Sequence, residues 1–254
     1  MLRRPLVITA FFIVAAVLWW GYENTRLPPG VEGKGAQDWV PWISLAAAQT
    51  SASALNDQAD AAYRRKDYPE AARLYRLSAD QGNAYAQAIL GIFYEQGRGG
   101  LPKAEREAAR LYRLAADQGN AGGQVNLGVF YEQGRGGLPK DEREAARLYR
   151  LAADQGNAQG QANLGVFYRD GLGSLPKDDR QAARLFRLAA DQGNADGQAN
   201  LGFFYAQGRG GLPKDEREAA RLFRLAADQG NTGGQVSLGV FYEQGRGGLP
   251  EDER

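Results

Sequence analysis

Residues 121–157 read AGGQVNLGVFYEQGRGGLPKDEREAARLYRLAADQGN, and the chain repeats this pattern at a fixed step. Asp-Gln-Gly-Asn recurs every 37 residues, starting at Asp80, Asp117, Asp154, Asp191 and Asp228. A Leu-Gly pair keeps the same step at Leu90, Leu127, Leu164, Leu201 and Leu238. A period of about 20–50 residues marks stacked supersecondary units. One such unit cannot bury its apolar face alone, so the units stack into a solenoid with a long accessible surface. Binding is therefore the leading class of function before any chemistry is weighed.

Two helices and the breaks between them are legible within the stretch. Ala121 to Gln133 predicts a first helix, ended by Gly134-Arg135-Gly136-Gly137, where glycine admits positive φ. Leu138-Pro139 supplies an apolar contact and a stiff turn. Asp141 is placed to cap a second helix, and Glu142 and Glu144 in its first turn suit the helix dipole. That helix carries Ala145, Leu148, Tyr149, Leu151, Ala152 and Ala153 and gives way at Gly156-Asn157. Gly128 predicts a close helix–helix approach, at a helix-propensity cost of about 1 kcal/mol relative to Ala. Ala145 and Ala152 flank Tyr149, leaving its ring to fill the gap between helices.

Leu127-Gly128, Tyr131, Gly134, Asp141, Ala145, Tyr149 and Ala152-Ala153-Asp154-Gln155-Gly156-Asn157 together resemble the Sel-1-like repeat family of the tetratricopeptide superfamily. The doubled glycine before Leu138, and Leu148 where that family often has Trp, are departures that leave the fold expectation intact. The resemblance covers Ala84 to the C-terminus. It implies an all-α, right-handed α-solenoid of antiparallel helix pairs, and adaptor work in signalling, secretion or envelope assembly. The spacing sets complete units at 84–120, 121–157, 158–194 and 195–231, with a partial one at 232–254. A shorter helix pair at 52–83 lacks the Gly-Gly-Leu-Pro loop and reads as an ordinary tetratricopeptide-like unit. The last first-helix keeps Leu238, Phe241 and Tyr242, where terminal repeats usually turn a polar face outward. Either the array is truncated there or this end docks on a partner, including a second copy of the chain.

The N-terminus reads differently. Arg3 and Arg4 precede an uncharged run from Pro5 to Tyr22, closed by the interfacial aromatics Trp19, Trp20 and Tyr22. Residues 1–22 predict one transmembrane helix, an uncleaved signal anchor, with a cleaved signal peptide as the alternative. The positive flank places the repeats on the far side, so the expected location is a bacterial inner membrane, single-pass, with the repeats in the periplasm. Residues 23–51 read as a linker broken by Pro28-Pro29-Gly30.

Composition narrows the chemistry. The chain has 254 residues and a net charge of +1, which argues against nucleic acid as the partner. It has no Cys and no His, which removes thiolate nucleophiles, the Ser-His-Asp triad and the commonest metal ligands. Its carboxylates recur at cap and surface positions, whereas an active site is a unique arrangement. No enzyme activity, cofactor or metal is expected.

Two surfaces remain as candidates, the first for a protein or peptide partner. In tetratricopeptide-like solenoids the first helices line the concave groove. By that resemblance Asn126, Asn163 and Asn200 form a ladder of carboxamides able to pair with an extended backbone. Val129, Val166 and Phe203 lie beside them, followed by Glu132, Gln133, Arg169 and Gln207. The alternative is that the asparagines bridge adjacent helices or face water. The second helices carry an arginine stripe at four- and three-residue spacing: Arg106, Arg110 and Arg113, then Arg143, Arg147 and Arg150, then Arg180, Arg184 and Arg187, then Arg217, Arg221 and Arg224. That stripe suits an acidic polysaccharide or lipid headgroups. Its bland reading is a solvated face in which Glu144 pairs Arg147 and Asp154 pairs Arg150. A third reading is an accessory subunit of an envelope enzyme complex.

Overall fold

The computed structural model describes residues 51–250. The anchor expected at 1–22, nearly all of the linker at 23–51, and residues 251–254 lie outside the described residues. Within them are eleven α-helices and no strand. The helices are α1 (Ala52–Arg64), α2 (Tyr68–Asp80), α3 (Ala84–Gln96), α4 (Glu105–Asp117), α5 (Ala121–Gln133), α6 (Glu142–Asp154), α7 (Ala158–Asp170), α8 (Asp179–Asp191), α9 (Ala195–Gln207), α10 (Glu216–Asp228) and α11 (Thr232–Glu243). A 3₁₀ turn at Arg246–Gly248 follows. Among the described residues no helix is long and apolar enough to cross a membrane.

The repeated tetrapeptide is a helix junction. Gly82, Gly119, Gly156, Gly193 and Gly230 adopt positive φ just past a second helix. The following Asn83, Asn120, Asn157, Asn194 and Asn231 then cap the next first helix, each side chain accepting the N–H three residues on. The glutamine has a separate task. Gln118, Gln155, Gln192 and Gln229 donate through Nε2 to buried Gln87, Gln124, Gln161 and Gln198 at 2.7–2.8 Å, tying each second helix to the first helix of its own unit.

Second helices start on Asp141, Asp178 and Asp215, each accepting two backbone N–H groups. Ala104 holds the same place before α4 with nearly the same backbone, φ −145° against −144° at Asp141, and offers no side-chain acceptor. Ala104→Asp should therefore stabilise the protein by about 1 kcal/mol. A chemical melt that leaves the midpoint unchanged would contradict this account of the cap.

The units are stacked through aromatic rings. Tyr149 is fully buried, and a Cβ on Gly128 would lie 2.6 Å from its Cε1, so the glycine is what admits the ring. Gly91, Gly165 and Gly202 stand in the same relation to Tyr112, Phe186 and Phe223. Each ring then meets one from the next unit edge-on: Tyr112 with Phe130, Tyr149 with Phe167, Phe186 with Phe204 and Phe223 with Phe241, at 5.2–5.4 Å between centroids. Each helix packs chiefly on its neighbours in sequence. From α5 onward, first helices also touch the first helix of the adjoining units, as α3 does α5, and second helices show no comparable contact with one another. The first helices therefore line the inner side of the curve.

Candidate functional site: the concave face

The three asparagines are half-buried on α5, α7 and α9, the first helices that line this side. They are not equivalent. Asn126 has no side-chain hydrogen bond to another described residue. Asn163 accepts from Gln159 Nε2 at 2.9 Å, within one turn of α7. Asn200 accepts from Arg169 Nη1 at 2.7 Å and donates to the Asp196 carbonyl at 2.8 Å, so it bridges α7 to α9. The bridging alternative thus holds at Asn200. Val129 and Val166 are half-buried, and Phe203 keeps 39% of its surface exposed. Arg169, Asn200, Phe203 and Ser237 meet in one hollow of about 490 Å³ with Asp196 and Thr232. Gln133 and Gln207 are exposed on the last turns of α5 and α9.

Glu132 is engaged in the fold. Its Oε2 accepts the Tyr149 hydroxyl at 2.6 Å, and Glu95 accepts that of Tyr112 at 2.7 Å. A buried phenol needs an acceptor, because leaving it unpaired costs about 1–3 kcal/mol. In the next two units the ring is Phe186 or Phe223, which has no hydroxyl, and the acid position holds Arg169 or Ala206 instead. Arg169 is then free to clamp Asp170, at 2.6 and 2.8 Å, and to reach Asn200. Sequence reasoning missed this pairing. The signal was present: a tyrosine and a glutamate 17 residues apart that disappear together.

This pairing also has a pH signature. Burial, and after it the Glu95 and Glu132 hydrogen bonds, push the Tyr112 and Tyr149 phenols above their ordinary value. A raised folded-state value means the contribution is intact below the unfolded pKa of about 10 and is lost as pH rises beyond it. Stability should fall above pH 10 by up to about 1.4 kcal/mol per pH unit for each of these tyrosines. A Tyr112→Phe/Tyr149→Phe variant should show a shallower fall in urea melts between pH 9 and 11. Parallel profiles would refute the assignment.

On the second helices the arginine stripe is largely spoken for. Arg110, Arg147 and Arg221 pair with Glu107, Glu144 and Glu218 at 2.6 Å. Arg113, Arg150, Arg187 and Arg224 donate to the hydroxyls of Tyr131, Tyr168, Tyr205 and Tyr242 at 2.7–3.1 Å. The expected Asp154–Arg150 pair is therefore corrected: stacking places Tyr168 of the next unit within reach of Arg150, and the guanidinium bridges units instead. Arg143 donates to Ser174 at 2.7 Å. Arg106, Arg180, Arg184 and Arg217 form no side-chain ion pair among the described residues, Arg184 because Gln181 stands where the other units have Glu. A second set of guanidiniums went unforeseen. Arg135, Arg209 and Arg246, in the loops after first helices, pair with Glu105, Asp179 and Glu216 of the preceding unit at 2.7–2.9 Å and lie over Phe130, Phe204 and Phe241.

Stacked antiparallel helix pairs with polar groups repeated along one inner face define a solenoid interaction module. The Sel1 repeat model matches residues 60–83, 84–120, 121–157, 158–194, 195–231 and 233–254, and the chain belongs to the Sel1 repeat family. Proteins of this family mediate protein–protein interactions, and their scaffold is typically non-catalytic. A crystal structure of a Sel1 repeat protein from Oxalobacter formigenes is similar at 32% identity and a TM-score of 0.64, covering 78% of this chain and 77% of that one. A protective antigen of uropathogenic Escherichia coli strains, displaying an SLR fold, is similar at 31% identity and a TM-score of 0.64, covering 84% of this chain and 45% of that one. An immunity protein of Pseudomonas aeruginosa shares the fold at 21% identity and a TM-score of 0.50, covering 74% of this chain and 70% of that one. A comparison with curated proteins gives no match.

Proposed function

We propose that the protein is a membrane-anchored, non-enzymatic adaptor whose concave face holds an extended segment of a protein partner outside the cytoplasm. One observation carries the reading. The first helices present half-buried amides with apolar side chains beside them, in register from unit to unit, at Asn126/Val129, Asn163/Val166 and Asn200/Phe203, of which Phe203 is exposed. Carboxamides donate and accept, so they suit a peptide backbone, while the adjoining apolar positions suit its side chains. The outer arginine stripe fits an acidic polymer less well, since three of its middle members already have a carboxylate partner. Anchoring rests on the apolar run from Pro5 to Tyr22 behind Arg3 and Arg4.

The test is capture from envelope extract with the full chain and an Asn126→Ala/Asn163→Ala/Phe203→Ala variant, each at low and high salt. Apolar and neutral hydrogen-bonded contacts are weakly screened, so a partner protein should survive high salt on the wild type and fall at least tenfold on the variant. Bound polymer or lipid that salt releases, equally from both proteins, would overturn the groove in favour of the stripe. A reporter enzyme that works only outside the cytoplasm, fused after residue 254, should be active; inactivity would refute the orientation.

A further inference from the structure

The first end of the concave face differs from the rest of it. In α5, α7 and α9 the inner positions read Gly122/Asn126/Val129, Gln159/Asn163/Val166 and Asp196/Asn200/Phe203. The equivalent positions of α3 are Tyr85, Ile89 and Ile92, so the amide-bearing face becomes apolar there. These three side chains line a hollow of about 440 Å³ with Tyr63 and Arg64 of α1. Tyr63 and Tyr85 are large rings left 39% and 42% exposed.

The hollow is preorganised. Asp60 accepts the hydroxyls of Tyr75 at 2.5 Å and Tyr85 at 3.0 Å, and the two rings stand edge-on at 6.3 Å. Arg98 donates to the Tyr63 hydroxyl at 2.8 Å and lies over Tyr68 at 4.9 Å. The walls are therefore held by bonds among themselves, and an incoming group need not order them. Asp60 and Arg98 are committed to that task. Arg64, exposed in the last turn of α1, has neither a hydrogen bond nor an ion pair to another described residue. The hollow mixes these rings and aliphatic side chains with the polar Asp60 and Gln96, and a guanidinium at its edge can pair with a carboxylate in forked geometry.

We propose that this hollow is the anchor of the groove: it receives one aromatic or large aliphatic side chain of the partner segment, and Arg64 pairs with an acidic residue next to it. The proposal rests on the groove reading above and names the chemistry of its partner. Rigid aromatic pockets of this kind concentrate binding energy, whereas the amide ladder beyond it reads backbone and discriminates little between sequences.

The test uses the detergent-solubilised full chain to select from a random peptide library displayed on phage. Selected peptides are then titrated by fluorescence anisotropy against Tyr85→Ala, Tyr85→Phe, Arg64→Gln and Asn126→Ala/Asn163→Ala proteins. Selected sequences should share Phe, Trp, Tyr or Leu with Asp or Glu within two residues. Tyr85→Ala should weaken them at least tenfold, while Tyr85→Phe, which keeps the ring, should bind within about threefold of wild type. Arg64→Gln should weaken the acidic peptide several-fold and leave its Asp→Asn or Glu→Gln analogue unchanged. Peptides that respond to the asparagine variant and not to Tyr85→Ala would sink the anchor and leave the groove standing. Peptides indifferent to all the variants, or no enrichment at all, would overturn both. Unchanged melting temperatures of the Tyr85 and Arg64 variants separate lost binding from lost folding.

Discussion

Tyr149→Ala will destabilise the array by about 3–5 kcal/mol, the range for deleting a large buried ring. Three losses coincide there. The ring is fully buried in the space that Gly128 leaves open, so its removal makes a cavity that neither helix can close without moving the other. The edge-on contact with Phe167, at 5.2 Å, disappears, and with it the link between the unit 121–157 and the unit 158–194. Glu132 also loses the hydroxyl that its Oε2 accepts. Stability in a solenoid is a sum of unit and neighbour terms, so the damage should be local: the urea transition should split, with the two flanks melting separately. A contrasting variant isolates the cause. Tyr149→Phe/Glu132→Ala reproduces the pairing of Phe223 with Ala206 found two units later, and should cost less than about 1 kcal/mol. If the double variant were as unstable as Tyr149→Ala, the ring would not be the source of the effect.

The second large effect is expected at Gly136→Val, at about 3–5 kcal/mol. Gly136 sits at φ +62°, where a non-glycine residue costs about 1–2 kcal/mol and a β-branched one more. Its surroundings add to this. A Cβ would stand 2.7 Å from the Glu105 carbonyl oxygen, 2.8 Å from Ala109 and 3.0 Å from the Phe130 ring, and overpacking of that kind costs about 1–3 kcal/mol. The obstructing atom is a backbone carbonyl of the preceding unit, which no rotamer change can move aside. Gly137→Val is the control: its φ is +78°, but the nearest atom is Arg106 Nε at 3.5 Å, so only the backbone penalty applies. Calorimetric melts in which the two variants fall equally would show that the close approach to Glu105 contributes nothing.

These two sites mark the boundary between what was legible in the chain and what was not. Gly128 and Tyr149 were readable as a small residue and a ring destined for one interface, because helical spacing puts Ala145, Tyr149 and Ala152 on one face. The bond from Tyr149 to Glu132 was not, since helical periodicity says which face a residue occupies and nothing about which atom it meets across a gap. The same limit explains Asp154 and Arg150: they lie on one helix at salt-bridge spacing, yet Arg150 turns to Tyr168, a residue that only stacking brings near. The hollow at Tyr63, Tyr85 and Ile89 was missed because it joins α1 to α3, across units that do not share the full repeat.

The sequence by itself determined the helices, their breaks and the stacking order, because caps, glycine turns and a 37-residue period are local chemistry repeated until it is unmistakable. Only the tertiary structure decided which polar groups of the first helices remain available. Among the described residues Asn126 has no side-chain hydrogen bond, Asn163 is held by Gln159 and by the Tyr149 hydroxyl, Asn200 is held by Arg169, and Glu132 belongs to the core. Availability depends on the distance to groups of neighbouring helices, and that distance is set by the rings and glycines that fix how closely the units stack.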